Sequence, residues 1–147
     1  MKNLIHVTTA SNLAVHALGY LASRKDDGLC SASEIAEYLR VSEAHLAKVL
    51  QRLATHRLIR SMRGAHGGFA LTRDPAEIPL LEVLETIDGP MASDSCLLGQ
   101  SLCRPGSCLF QSLSQIIRVH LEQTTIEDFN PKRKYLQSQS TLPRFTK

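Results

Sequence analysis

Two helix-start signals stand close together in the first third of the chain. Ser31 and Glu34 have the spacing of a capping box and precede the apolar residues of a short helix. Ser42 is a second N-cap signal, after a turn of only a few residues. The helix that follows has one apolar stripe, formed by Leu46, Val49, Leu50 and Leu53. Two short helices joined by a tight turn, the second polar and basic on its outer face, are typical of a helix-turn-helix.

A glycine-rich segment follows the second helix. Residues 57–73, RLIRSMRGAHGGFALTR, have apolar positions on both sides of a turn, which predicts a two-stranded hairpin. Its tip, residues 63–68, combines the cation Arg63 with flexible backbone. A glycine-rich turn alone predicts only a plain hairpin. Directly after a helix-turn-helix it indicates the wing of a winged helix, where Arg63 can enter a minor groove whose negative potential favours guanidinium.

Cationic side chains concentrate in the same region. Residues 40–73 contain seven lysines and arginines against the single carboxylate of Glu43, although the net charge of the whole chain is only +3. Such a block suggests a polyanionic partner, although charge alone also fits a solvated face with no partner. With the helix-turn-helix it predicts binding to a double-stranded DNA operator. The residues expected to contact DNA are Ser42, Glu43, Ala44, His45, Lys48 and Arg52 on the second helix and Arg63, Gly64, His66 and Gly67 in the wing.

Three of the four cysteines lie in one segment, CLLGQSLCRPGSC, residues 96–108. The sequence shows neither a secretory signal nor an apolar run long enough for a membrane span, which predicts a cytoplasmic protein with reduced thiols and disfavours disulfides. Thiolates on a loop with Gly99 and Gly106 can bind a soft metal centre. Redox-active thiols, zinc and plain burial stay open, although no second CxxC pair completes a four-cysteine zinc site. Cys30 is expected to be a small buried residue.

Helical periodicity predicts a first helix from Leu13 to Leu21 and a later one over residues 109–122. The fold class predicted is therefore mainly α with a small β-hairpin. The tail, residues 131–147, is basic and without periodicity, so we expect it to be disordered or loosely packed. A nucleophile–base pair, a phosphate loop and paired carboxylates are all missing from the sequence, and this predicts that the protein is not an enzyme.

The stretch from Leu46 to Pro90, LAKVLQRLATHRLIRSMRGAHGGFALTRDPAEIPLLEVLETIDGP, is similar to the signature region of the Rrf family of bacterial regulators. This family includes iron–sulfur-sensing, nitric-oxide-sensing and cysteine-metabolism repressors. The resemblance rests on the glycine-rich wing, the LEV…IDGP helix and the cysteine segment, and extends over about residues 5–130. It implies a homodimeric winged-helix repressor, dimerised through a long C-terminal helix. The implied parts are a winged helix-turn-helix domain (1–88), a cluster-binding loop (89–108), a dimerisation helix (109–130) and the tail.

The resemblance also implies a cofactor. In cluster-binding members three cysteines of this loop ligate an iron–sulfur cluster, and the matching residues are Cys96, Cys103 and Cys108. A histidine that several members use three residues later is Gln111 here, and the first-helix carboxylate that others take from the partner subunit is Asn12. His16, one turn after Asn12, is a second candidate ligand, although a packed or surface histidine fits it equally. Mixed cysteine and histidine ligation favours a two-iron over a four-iron cluster. The alternative is a cluster-free regulator that senses a small molecule or thiol oxidation.

Overall fold

The computed structural model describes residues 7–91 and 108–134, and this part is mainly helical with one antiparallel hairpin, as the sequence predicts. No helix within these two ranges is long and apolar enough to cross a membrane. Short 3₁₀ segments precede the fourth helix (Pro75–Glu77) and follow the fifth (Ile126–Phe129). In chain order the elements are α1 (Thr9–Ser23), α2 (Ala32–Leu39), α3 (Glu43–Thr55), β1 (Ile59–Met62), β2 (Gly68–Leu71), α4 (Leu80–Asp88), α5 (Leu109–Gln123) and α6 (Pro131–Lys134).

The predicted caps position α2 and α3. The Ser31 hydroxyl accepts a 3.1 Å hydrogen bond from the N–H of Glu34, whose carboxylate accepts one of 2.7 Å from the N–H of Ser31. The Ser42 hydroxyl caps α3 by accepting a 3.4 Å hydrogen bond from the N–H of His45. These bonds satisfy N–H groups that have no partner inside the helix. The two helices are therefore joined by the tight turn that the helix-turn-helix prediction requires.

The core lies where α1, α2, α3 and α4 meet. The side chains of Leu18, Ile35, Leu46 and Leu50 are fully buried there, and each contributes about 1.5–3 kcal/mol of burial free energy. Ile126, from the segment after α5, is also 0% exposed and joins the same cluster. The chain beyond the winged helix is thus part of its core.

The hairpin is tied to the core through the segment before α2. β1 pairs with β2 in the register Ile59↔Leu71 and Met62↔Gly68. The backbone of Cys30 forms a bridge with Phe69, with hydrogen bonds of 3.0 Å and 2.8 Å. A Cβ on Gly68 would lie 2.6 Å from the Cys30 carbonyl oxygen, so this close approach requires glycine. The bridge fixes the wing relative to the helix-turn-helix.

The helix after the cysteine segment matches the 109–122 predicted from the apolar spacing and is shorter than the 109–130 that the family resemblance implies. α5 ends at Gln123, and the next residues are extended. The N–H of Leu80 donates to the Thr124 carbonyl at 2.8 Å, and the N–H of Ile126 donates to the Ile78 carbonyl at 2.9 Å. Burial of Ile126 and these two hydrogen bonds hold the chain against the start of α4. Tertiary pairing therefore ends the helix.

The expectation of a disordered tail is wrong for its first residues. Residues 131–134 form α6, and the N–H of Lys132 donates a 3.0 Å hydrogen bond to the Asn130 side chain. Lys132 and Arg133 form ion pairs with Asp27 and Asp128, at 3.7 Å and 3.8 Å. The rest of the tail lies outside the described residues, as does most of the cysteine segment.

Candidate nucleic-acid interface and cysteine segment

The predicted DNA-contacting residues of α3 share one exposed face. Because α3 turns every 3.6 residues, burial of its apolar stripe leaves the polar residues on the opposite side. Ser42 lies at the start of this face. All six residues of this region that the sequence predicts to contact DNA are exposed: Ser42, Glu43, Ala44, His45, Lys48 and Arg52.

The wing tip is a compact turn with an exposed cation. Arg63, Gly64 and His66 are exposed, and Gly67 is half-buried. Gly64 has a φ of +119°, a conformation that side chains disfavour, and its carbonyl accepts a 2.9 Å hydrogen bond from the N–H of Gly67. A Cβ on Gly67 would lie 2.2 Å from the Met62 carbonyl oxygen. The glycines thus allow the tight turn that presents Arg63.

A groove of about 570 Å³ lies between α3 and the wing. Ala47 and Gln51 line it from α3, and Ser61, Met62 and Arg63 line it from the hairpin. Met62 is 56% exposed although it is apolar. The DNA-contacting residues predicted from the sequence did not include Gln51 or Met62, although both line this groove. The position of Gln51, three residues after Lys48 on the same helical face, was the available signal.

The cations of the helix-turn-helix and wing lack the ion pairs that other cations of the described residues form. Within residues 7–91 and 108–133, ion pairs hold the cations Arg24, Lys25, Arg73, Arg118, Lys132 and Arg133. No carboxylate within those residues forms an ion pair with the exposed Arg40, Lys48, Arg52, Arg60 or Arg63. An uncompensated cationic surface of this kind attracts the phosphate backbone of nucleic acids.

Asn12 and His16 line a second groove, of about 360 Å³, between α1 and the α2–α3 turn. Both side chains are exposed and lie one helical turn apart. The His16 ring stands edge-on to Phe129, with 6.3 Å between the ring centroids. Leu39 and Val41 form the opposite wall of this groove. The structure therefore brings together the two candidate ligands of α1 and leaves both accessible.

Cys108 is the one loop cysteine among the described residues. It is half-buried, carries a free thiol and stands at the N-cap of α5. Cys96 and Cys103 lie outside the described ranges. Across the residues that the structure describes, no three His, Cys, Asp or Glu side chains come close enough to hold a metal ion. Any ligand set thus depends on the segment between Met91 and Cys108.

Cys30 has a different environment. Its side chain is 2% exposed, which confirms the expectation of a small buried residue. Burial raises the pKa of its thiol, and the guanidinium of Arg24 opposes this shift. Cys30 is therefore held as a neutral thiol inside the core, far less reactive than an accessible cysteine.

α5 has an apolar face that the described chain leaves uncovered. Leu109 is 67% exposed and Ile116 is 65% exposed. On its other side the helix is held to α4, where Arg118 pairs with Glu85 at 3.3 Å. Soluble proteins rarely expose a contiguous apolar patch of this kind without a partner. The exposed apolar residues of α5 are Leu109, Phe110, Leu113, Ile116 and Val119.

Comparison with known families accounts for this combination of features. Residues 7–131 match the Rrf2 family, described as iron-dependent transcriptional regulators. The chain belongs to the Rrf2 family. A putative HTH-type transcriptional regulator of Mycobacterium tuberculosis is 32% identical to it over 84% of this chain and 80% of the relative. The HTH-type transcriptional regulator NsrR of Shouchella clausii is 29% identical over 84% of this chain and 87% of the relative.

A solved structure shares the fold of this Rrf2 protein. CymR, the global cysteine regulator of B. subtilis, superimposes with a TM-score of 0.78 at 24% identity, covering 87% of this chain and 98% of CymR. The Rrf2 relatives named above are regulators rather than enzymes. The chain is thus a winged-helix, DNA-binding transcriptional regulator of the Rrf2 family.

Proposed function

We propose that this Rrf2 protein is a homodimeric repressor whose affinity for a roughly palindromic operator is controlled by an iron–sulfur cluster. The observation that carries the DNA-binding part is the set of cations around α3 and the wing that form no ion pair with any carboxylate among the described residues. Salt bridges elsewhere in the described chain neutralise their cations, whereas these remain available to phosphates.

The proposed arrangement on DNA places α3 in the major groove. Lys48 and Arg52 reach bases or phosphates from its exposed face, while Glu43 and His45 lie near its N-terminus, where a recognition helix contacts base edges. Arg63 enters the adjacent minor groove from the wing tip. The groove between α3 and the wing accommodates the phosphate backbone that separates the two DNA grooves.

The proposed dimer uses the apolar face of α5. A second copy of the chain is the occupant, because packing the same face of both helices around a two-fold axis buries both patches. Burying one large apolar side chain contributes about 1.5–3 kcal/mol, so several on each helix are enough to offset the cost of association. Two-fold symmetry in turn sets the half-site spacing of the operator.

The proposed cluster ligands are Cys96, Cys103 and Cys108. The donor set fits such a group, since thiolates are the ligands that iron–sulfur clusters use in proteins. Asn12 or His16 of the partner subunit supplies the remaining ligand, and both are accessible on α1. When bound, the cluster supplies a redox- and nitric-oxide-sensitive centre. Ligation by Asn12 or His16 of the partner subunit would link the cysteine segment of one subunit to the first helix of the other, and would couple the state of the bound group to the angle between the recognition helices.

The second candidate function is a cluster-free regulator of the same fold that senses a small molecule or thiol oxidation. The residues favouring it are Gln111 and Asn12, which stand where cluster-binding relatives have a histidine or a carboxylate, and an amide is a poor ligand for iron. In that case oxidation of the loop thiols, instead of loss of a cluster, would change the affinity for the operator.

Anaerobic purification followed by iron and sulfide analysis separates the two functions. We expect a coloured protein whose absorbance is abolished or sharply reduced by Cys96→Ala, Cys103→Ala or Cys108→Ala and preserved in the control Cys30→Ala. Cluster-loaded and cluster-free dimers are expected to differ in operator affinity by about 1–3 kcal/mol at constant salt. A colourless protein after anaerobic reconstitution supports the thiol sensor, and equal affinities of the two forms contradict the switch. An unchanged spectrum in His16→Ala removes His16 from the site.

DNA binding is tested at the wing. Arg63→Ala is expected to weaken operator binding by about 1–3 kcal/mol, because an unpaired guanidinium is lost from a groove. Arg73→Ala is the matched control, since Arg73 is already paired with Glu82. Lys48→Ala tests α3 in the same assay. Unchanged affinity for both Arg63→Ala and Lys48→Ala would contradict this placement.

A further inference from the structure

Arginines in a left-handed backbone conformation stand on both sides of the recognition helix. Arg40 has a φ of 56° and Arg57 a φ of 61°, and within the described chain they are the only residues other than glycine with positive φ. In this conformation Cβ approaches the following carbonyl oxygen, so glycine adopts it most easily. The sequence thus retains arginine at two positions where the backbone favours glycine.

The hydrogen bonds of the α2–α3 turn explain the left-handed conformation at position 40, but they do not explain why an arginine occupies that position. The N–H of Val41 donates to the Ala36 carbonyl at 3.0 Å, and the N–H of Arg40 donates to the Glu37 carbonyl at 3.1 Å. This Schellman pattern satisfies the last carbonyls of α2 and needs a left-handed residue at position 40. Glycine would form the same bonds without strain. The arginine side chain is not required to end the helix.

The side chain of Arg40 is available to contact a binding partner. It is exposed, and within residues 7–91 and 108–133 no carboxylate pairs with it. It lies two residues before Ser42, the N-cap of α3. The N-terminal end of a recognition helix is the end that enters the major groove, so the turn before it faces the DNA backbone at the edge of that groove.

We propose that Arg40 is a phosphate-contacting residue that positions α3 in the major groove, and that this contact is why arginine occupies a position that favours glycine. The inference rests on the proposed DNA-binding function and extends it to a residue outside α3 and the wing tip. Phosphate contacts fix the orientation of a protein on DNA without reading the sequence. Arg40 therefore contributes affinity for any duplex, rather than discrimination among operators.

Arg57 provides a matched control within the same helix-turn-helix. It has the same residue type, nearly the same φ and an equally unpaired side chain, but it follows the C-terminal end of α3. The 13 residues of α3 separate the two positions by about 20 Å, at a rise of 1.5 Å per residue. When the N-terminal end of α3 enters the groove, Arg57 lies at the end that points away from the DNA.

The test compares Arg40→Gly, Arg40→Lys and Arg57→Gly with the wild-type protein. The probes are a duplex that the wild-type protein selects from a random-sequence pool and a non-selected duplex of equal length. Both glycine variants are expected to keep or raise the Tm, because glycine removes the strain of the left-handed conformation. Only Arg40→Gly is expected to lose about tenfold in affinity for both duplexes, and Arg40→Lys to recover most of that loss.

The salt dependence gives a second readout. The slope of log K against log salt is expected to fall by about two for the Arg40→Gly dimer, one phosphate for each subunit. Wild-type affinity and slope in Arg40→Gly would overturn the inference, as would an equal loss in Arg57→Gly, which would mean a general effect of charge. If the wild-type protein selects no duplex, the proposed function fails as well, so the two failures are distinguishable.

Discussion

In the first turn of α1 the hydroxyl of Ser11 donates a 2.5 Å hydrogen bond to the carboxylate of Asp88, the last residue of α4. The hydroxyl of Thr8 donates to the same carboxylate at 2.6 Å, and its backbone N–H donates at 3.2 Å. Ser11 is 0% exposed. The start of α1, which carries Asn12 and His16, is thus fastened to the residue that leads into the cysteine segment.

Ser11→Ala is expected to reduce the free energy of unfolding by about 1–3 kcal/mol, because it removes a buried hydrogen bond to a charged acceptor. Urea denaturation at fixed protein concentration measures this loss, since the proposed dimerisation would make stability depend on concentration. The exposed Ser33 of α2 provides the control, and Ser33→Ala is expected to change stability by less than about 0.5 kcal/mol. Equal effects of the two substitutions would contradict a structural role for the Ser11–Asp88 bond.

Gly68→Ala is expected to destabilise the protein by about 1–3 kcal/mol, the usual cost of overpacking. Its Cβ would lie 2.6 Å from the Cys30 carbonyl oxygen and 2.8 Å from the carbonyl carbon, and neither backbone atom can move without breaking the bridge to Phe69. Thermal unfolding monitored by circular dichroism measures the effect. Ala65→Ser, at the exposed wing tip, is the control with little expected change. A wild-type Tm in Gly68→Ala would show that the wing is not held by this bridge.

Cys30 is expected to react with iodoacetamide at least about tenfold more slowly than Cys108 in the folded, cluster-free protein. Burial raises the pKa of Cys30, so less of its reactive thiolate form is present at a given pH, and access of the reagent is blocked as well. Peptide mass spectrometry after timed labelling at pH 8 separates the two sites. Both cysteines are expected to react at similar rates in urea. Equal rates in the native protein would contradict burial of Cys30.

The ion pair between Lys25 and Asp74 predicts a pH dependence. The Lys25 ammonium donates a 2.7 Å hydrogen bond to Asp74, and the N–H of Ala76 donates one of 3.0 Å. These bonds, that of Lys25 foremost, hold the pKa of Asp74 below its usual value. A lowered pKa in the folded state means that the stabilisation is complete above the unfolded-state pKa of about 3.9 and is lost as the pH falls through the folded-state value.

Asp74→Asn is therefore expected to lower the urea midpoint at neutral pH, and its difference from the wild-type protein is expected to shrink as the pH falls below about 4. Urea titrations over this range provide the measurement. Adding Lys25→Gln to Asp74→Asn is expected to cause little further loss at neutral pH, because the ion pair is already broken. A difference that stays constant down to acidic pH would exclude ionisation of Asp74 as its cause.

Much of the DNA-binding site could be predicted from residues close together in the chain. The caps at Ser31 and Ser42 and the apolar spacing of α3 involve partners within a few residues. The exposed face of α3 and the wing turn follow from them directly. Met62 could not be placed in the interface in this way, because the groove that it shares with Gln51 exists only once the hairpin folds back along α3.

The apolar spacing predicted a last helix over residues 109–122, and α5 agrees with it. The family resemblance extended this element to residue 130, whereas pairing with Ile78 and Leu80 ends the helix at Gln123. Lys132 and Arg133, two of the basic residues that suggested a disordered tail, form ion pairs with Asp27 and Asp128.

Capping boxes, apolar periodicity and the glycine turn are short-range signals, so residues close together in the sequence specify the helices of the helix-turn-helix and the turn of the wing. The short-range signals do not determine which cations remain unpaired, because this depends on carboxylates that are distant in sequence. Arg73 forms an ion pair with Glu82, and Lys25 forms one with Asp74. No carboxylate among the described residues pairs with Arg40 or Arg63. The pairing of these cations is decided only when the chain is folded, since it depends on distances between residues that are far apart in the sequence.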